Sequence, residues 1–173
     1  LAVYAKFLHN QFGVQTMAQF RWMRSGFQQN DERDESGTFA LHTLSDDETI
    51  ARLATGVRRF ELPKQHNFIA LNKEIIAITK TGTGERSRDQ LARIYENRRQ
   101  YPKAAEAWRK AIRDCGRGNQ QWREKSLGQI VDHWGRFEPS QVQPSGRGAV
   151  IDFQFRNGTS VDFEAFPIAI ESL

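Results

Sequence analysis

Only one of the 173 residues is a cysteine, Cys115, so an internal disulfide framework is excluded, and one thiol does not distinguish cytosol from periplasm. Long apolar runs are missing as well. No stretch approaches the roughly 20 residues that a membrane span needs. The histidines are few and scattered: His9, His42, His66 and His133 form no His-Glu-x-x-His pair and have no second cysteine beside them, which argues against a zinc centre. The opening residues, LAVYAKFLHNQFGVQ, lack the basic start, long apolar centre and small-residue cleavage site of a secretory leader. Because they begin on Leu1 inside a helical pattern, the sequence reads as an internal segment of a longer protein, and the missing leader says nothing about compartment.

What the chain does have is a hydrophobic content of 38%, enough for one core or two small ones, so it belongs with globular rather than disordered sequences. Its most regular stretch is Leu91 to Ile112. Leu91, Ala92, Ile94 and Tyr95 share one face of a first helix, and Ala104, Ala105, Ala107, Trp108, Ala111 and Ile112 share one face of a second. Two facing stripes predict an antiparallel pair. Pro102 fits the first turn of the second helix, where a missing N–H costs nothing, and the alanines leave room for a close neighbour. The spacing of Leu91, Ala92, Tyr95, Tyr101, Ala104, Trp108 and Ala111 resembles a tetratricopeptide repeat, with Trp122 where a next repeat would begin. Arg99 departs from the Gly that usually ends the first helix, and Lys125 and Ser126 break the second unit, so one repeat followed by a degenerate helix over about 121–133 is expected.

The net charge is +4, with Arg86, Arg88, Arg93, Arg98, Arg99, Lys103, Arg109, Lys110, Arg113 and Arg117 gathered around this repeat. That suggests nucleic acid as a minor alternative partner. Against it, Asp89, Glu96, Glu106 and Asp114 are interleaved at helical spacing, which predicts local pairing, and no recognised nucleic-acid module accompanies the charge. No nucleic-acid partner is therefore expected.

The N-terminal region, 1–80, reads as mostly helical. Ser45 and Glu48 have capping-box spacing, and Ile50, Leu53, Ala54 and Val57 follow on one face, which predicts a helix over Asp46 to Phe60 ending at Leu62-Pro63. Phe68, Leu71, Ile75 and Ile76 mark another. Phe20 to Met23 fit an earlier helix, and the polar 24–37 stretch fits a mobile loop. Thr81-Gly82-Thr83-Gly84 lacks the Gly-Lys-Ser/Thr of a phosphate loop and reads as a turn.

Past Gly135 the period changes. A Pro/Gly-containing linker over 138–148 leads into AVIDFQFRN and TSVDFEAFPI, which alternate with period two and predict a β-hairpin. A two-residue Asn157-Gly158 loop would scatter the apolar residues over both faces. A three-residue Arg156-Asn157-Gly158 loop, with Gly158 in the left-handed region, sets Phe153 opposite Val161 and Ile151 opposite Phe163 and is the expected register. The fold class is thus mainly α with a C-terminal β-hairpin (α+β): helical hairpins over 85–134, then at 149–173 the first strands of a β-sandwich whose remainder lies outside the chain.

The order LSDDETIARLATGVRRFELP, DQLARIYENRRQYPKAAEAWRKAI and LGQIVDHWGRFEPSQVQPSGRGAVIDFQFRNGTSVDFEAF resembles the large bacterial proteins of the alpha-2-macroglobulin family, which carry a tetratricopeptide-like segment before macroglobulin-type β-domains. The resemblance implies a secreted, periplasmic or membrane-tethered protein that traps foreign proteases. It implies no chemistry for this segment. The family's thioester uses Cys-Gly-Glu-Gln, whereas Cys115-Gly116-Arg117-Gly118 offers no glutamine as acyl partner, so Cys115 reads as a helix-end residue before a glycine cap. Asp46, Asp47 and Glu48 are accounted for by capping rather than acid–base work, and Asn157-Gly158-Thr159 by the hairpin rather than glycosylation. The expectation is a non-enzymatic scaffold with no catalytic, cofactor or metal residues and no cofactor. Its partners would be other domains of the parent protein, and proteases or peptides. The alternative is an independent tetratricopeptide-like module that binds a peptide.

Overall fold

Helical periodicity, a short connection and small residues at the contact give the α-hairpin at the centre of the structure, a computed structural model that describes residues 1–14, 37, 40–80, 82–140, 143, 146, 148 and 150–166. Its two helices are α3 (Thr83–Asn97) and α4 (Tyr101–Cys115). They run antiparallel, since Arg88 early in α3 meets Asp114 late in α4 while Glu96 late in α3 meets Trp108. Ala92, Trp108 and Ala111 are fully buried between them. The link is a Schellman turn in which the N–H of Gln100 bonds Tyr95 O and that of Arg99 bonds Glu96 O, at 2.9 Å each. Arg99 therefore sits at φ 54, the left-handed conformation that explains why Gly is usual here. After an Asn119–Gln121 turn, α5 (Trp122–Val131) sets Trp122 edge-on to Trp108, ring centroids 5.4 Å apart.

Before the hairpin come α1 (Ala2–Phe12) and α2 (Phe68–Ile78). Asn67 caps α2, its Oδ1 accepting from the N–H groups of Ile69 and Ala70. Ala5 and Leu8 of α1, Phe68, Ile69, Leu71 and Ile75 of α2, Ile94 and Tyr95 of α3 and Ala104 of α4 share one core with Leu62. Each fully buried large apolar side chain contributes about 1.5–3 kcal/mol, which is what holds helices too short to persist alone. Gly84 permits the close approach of α3 to the end of α2, because a Cβ there would fall 1.9 Å from Thr79 O.

The helix expected over 46–60 is instead a β-hairpin of β1 (Glu48–Leu53) and β2 (Gly56–Glu61), in the register Leu53↔Gly56 to Glu48↔Glu61. Thr49, Ile50, Thr55 and Val57 are β-branched, and Gly56 takes φ 109 straight after the Ala54-Thr55 turn, a conformation no helix interior tolerates. The Ser45–Glu48 interaction does form, with Ser45 N donating to Glu48 Oε2 at 2.9 Å, but it closes a tight turn into β1. Across the hairpin Arg59 holds the same carboxylate. Ile50 packs with Val14 and Leu44, while Leu53 and Val57 at the tip are exposed. The segments Phe20 to Met23 and 24–36 lie outside the described residues.

The chain divides into two compact units, Leu1–Ile130 and Val131–Leu173. Within the second, β3 (Trp134–Phe137) pairs antiparallel with β4 (Phe153–Arg156), Phe137 opposite Phe153 and Trp134 opposite Arg156. A two-stranded C-terminal sheet is thus present, but not the predicted one. Residues 158–166 form no strand, and 138–148 connect two paired strands. Asn157 rather than Gly158 takes the left-handed backbone, φ 59, and its Nδ2 donates to Asp132 O. With the pairing partner upstream, the Asn-Gly turn has no second strand to close on.

Candidate functional site

Three buried arginines organise the first unit, and all three serve helix ends or turns rather than a ligand. Arg123 reaches back from α5 to α3, making a two-pronged contact with Asp89 at 2.7 and 2.9 Å and a third with Glu85, while its remaining nitrogen bonds the carbonyls of Cys115 and Gly116 at the end of α4. The Asp89 hydrogen bond leads the effects that raise its pKa further. Arg88 contacts Asp114, the carbonyl of Ile76 in the last turn of α2 and those of Thr79 and Lys80 just after it. Arg98, 1% exposed, donates to Ser45 O and Glu48 O and lies over the Phe68 ring. Burial lowers its pKa against the pull of Asp46 and other nearby acids.

A second convergence closes on the 44–48 turn. The Asp46 carboxylate accepts from Lys73 at 2.6 Å, Lys103 at 3.0 Å and Tyr95 Oη at 3.1 Å. Burial pushes its pKa up, but the two lysines outweigh that and hold it at about 2. Glu48 is also held at about 2, chiefly by Arg59. A carboxylate so firmly ionised cannot act as a proton carrier near neutral pH. Asn67 Nδ2 bonds Asp46 O, and Gln100 Nε2 bonds the carbonyls of His42 and Leu44, so the turn is clamped by α2, α3 and the α3–α4 link. Sequence spacing could not reveal these contacts, whose partners lie 21 to 58 residues apart.

The histidines stay apart: His9 rests on Phe68 and His66 bonds Tyr4 Oη at 2.5 Å, while His133 lies in the second unit. Among the described residues no group of three or more His, Cys, Asp or Glu could hold a metal. Cys115 ends α4 before Gly116 at φ 79, and burial pushes its thiol pKa up, the reverse of an activated nucleophile. Of the turn expected over 81–84, Gly82 takes φ 56 just before α3, Thr83 and Gly84 already belong to that helix, and Thr81 lies outside the described residues. Trp108 donates to Glu96, whose pKa burial raises; Trp108, Ala104 and Ala111 have no exposed surface for a ligand. Of the basic cluster, Lys103 pairs with Asp46, Lys110 with Glu106, Arg113 with Asp114 and Arg117 with Glu124.

The second unit differs. Its sheet alternates cleanly, with Phe137, Phe153 and Phe155 on one face and Trp134, Arg136, Gln154 and Arg156 on the other. Phe153 sits edge-on to Phe137 at 4.9 Å and to Phe163 at 5.1 Å. The cluster nevertheless stays open, with Phe137, Phe155 and Phe163 52–60% exposed. Beside it is a shallow pocket of about 260 Å³ lined by His133, Trp134, Phe153, Phe155 and Arg156 among others. Gly135 makes room for Phe153, since a Cβ there would meet the ring tip at 2.5 Å. These phenylalanines are the largest concentration of exposed aromatic surface among the described residues; period-two alternation marks Phe153, Phe155 and Phe163 in the sequence, whereas Phe137 carries no such signal.

No described helix is long and apolar enough to cross a membrane. Comparison with protein-family models, curated proteins and solved structures finds no match for the chain.

Proposed function

We propose that the chain is a non-catalytic scaffold and docking segment of a larger, alpha-2-macroglobulin-like bacterial protein, with residues 1–130 acting as a helical spacer and the phenylalanine face of 131–173 covered by further β-structure. The observation that carries this reading is the cluster of Phe137, Phe153 and Phe155 on one face of a two-stranded sheet with Phe163 against it, in which Phe137, Phe155 and Phe163 are exposed. Two strands alone are marginal in water, and an apolar face of this kind marks an interface or an incomplete core. The helical unit supports the spacer role because its buried cations are matched to carboxylates and carbonyls inside the unit. Protease trapping outside the cytoplasm is the activity that the family resemblance implies for the parent protein.

The trap reading is tested by incubating the parent protein with a bait protease and comparing cleavage of a small substrate with that of a protein-sized one. Shielding of the large substrate alone is expected. Equal cleavage of both would count against the trap while leaving the docking role to be tested at Phe155.

A further inference from the structure

The strongest remaining feature is the seat of α1, where a histidine and a buried arginine share one aromatic ring. His9 is half-buried on the inner side of α1, its ring edge-on to Phe68 with centroids 5.3 Å apart. From the end of α3, the Arg98 guanidinium lies over the same Phe68 ring, 5.5 Å from its centre. Its two bonded acceptors are the neutral carbonyls of Ser45 and Glu48, so no carboxylate among the described residues touches it directly; Asp46, Asp47 and Glu48 act on it through space. The His9 ring is folded against Gly13, where a Cβ would come within 2.8 Å of Cδ2.

We propose that this pair is an acid-sensitive latch: protonating His9, which shares the Phe68 ring with Arg98, loosens α1 from the helical core, while neutral His9 keeps it seated.

The groups around the latch set its direction. Among the described residues, Arg98 at the end of α3 is the charge that acts on His9, and α2 contributes the Phe68 ring. Burial first, and Arg98 second, lower the His9 pKa from its ordinary 6.5. A lowered pKa in the seated state means that the loosened helix binds the proton more tightly. Seating is therefore complete above about pH 6.5 and weakens as pH falls below it. Other ties of α1 are insensitive to this proton. Thr49 Oγ1 donates to Phe12 O, and Phe12 meets Phe60 edge-on at 6.4 Å. Tyr4 Oη can donate to His66 Nδ1 or accept from it, so their bond survives either state. Leu8 and Ala5 would then be uncovered together with the Phe68 side of the core, which gives the helical unit an acid-exposed apolar surface.

The test is amide hydrogen exchange of the full chain at pH 7.5 and 5.5, corrected for intrinsic rates, together with an NMR titration of the His9 ring. The latch predicts a several-fold loss of protection over Ala5–Phe12 at pH 5.5, below the ~10-fold ceiling that one proton sets over this interval, little change in α3 and α4, and a His9 midpoint below 6.5. His9→Phe, which keeps a ring against Phe68, should abolish the acid step; His9→Gln serves if that variant does not fold. The same acid step in either variant, an ordinary His9 midpoint, or a loss of protection spread evenly over α1 to α4 would overturn the proposal.

Discussion

The two units of this chain treat aromatic side chains in opposite ways. In 1–130, Trp108 and Phe68 are wholly buried and each is further engaged by a polar partner, Glu96 for Trp108 and the Arg98 guanidinium for Phe68. In 131–173, Phe137, Phe155 and Phe163 cluster around Phe153, yet those three stay more than half exposed. Charge separates the units as well. The first holds 22 lysines and arginines against 15 carboxylates, the second three arginines against six carboxylates. Three of the first unit's cations, Arg88, Arg98 and Arg123, are buried and turned inward as staples, so its excess of cations is not all surface charge. The lesson is that net charge and aromatic content say little until burial assigns each group to the inside or the outside.

The sharpest way to break this contrast is to truncate one ring in each unit. Trp108→Ala removes a fully buried indole that packs on Trp122, and a loss of about 3–5 kcal/mol in urea unfolding is expected. Phe155→Ala should stay within about 0.5 kcal/mol, because its ring is already half exposed. Equal losses would mean that the second unit buries its aromatic face after all.

Next in size is Arg123→Met, which strands Asp89 and part of the Glu85 interaction. A cost of about 3 kcal/mol is expected by thermal melting, against nearly none for Lys110→Met on the exposed face of α4. The pH profile sharpens the same distinction. Asp46 and Glu48 have folded pKa values near 2, below their ordinary 3.8 and 4.5, so the stability they contribute is complete above about pH 4.5 and is lost as pH falls toward 2. Asp46→Asn should flatten the lower part of that slope in acid titrations followed by circular dichroism. The smallest effect is a gain. Arg99 holds the left-handed position of the Schellman turn, and Arg99→Gly should raise stability by up to about 1 kcal/mol, read as a few degrees in Tm.

How much of this was legible in the sequence depended on whether the decisive contacts were local. The α3–α4 pair was readable because its stripes repeat at helical spacing, and Arg99 was visible as a departure from Gly before its φ of 54 gave the reason. The 48–61 hairpin was misread because Ile50, Leu53, Ala54 and Val57 fit an amphipathic helix equally well. The deciding weight lay in β-branched residues and in Gly56. Strand character at Phe153–Arg156 was readable, but its partner was not: Trp134–Phe137 is a four-residue strand whose Gly135 interrupts the alternation. The buried arginines were hidden among surface-like charges, since Arg123 finds its carboxylates 34 and 38 residues earlier.

What we propose of the two units is that the helical one is held by its own contacts while the phenylalanine face of 131–173 is covered by further β-structure of a larger protein. The most direct measurement is thiol labelling of Phe155→Cys, in a Cys115→Ser background, compared between the isolated chain and the full protein as cells make it. Labelling at the rate of a free thiol in the isolated chain, and at least ~10-fold slower in the full protein, is the predicted result. Equal rates in both would contradict the account.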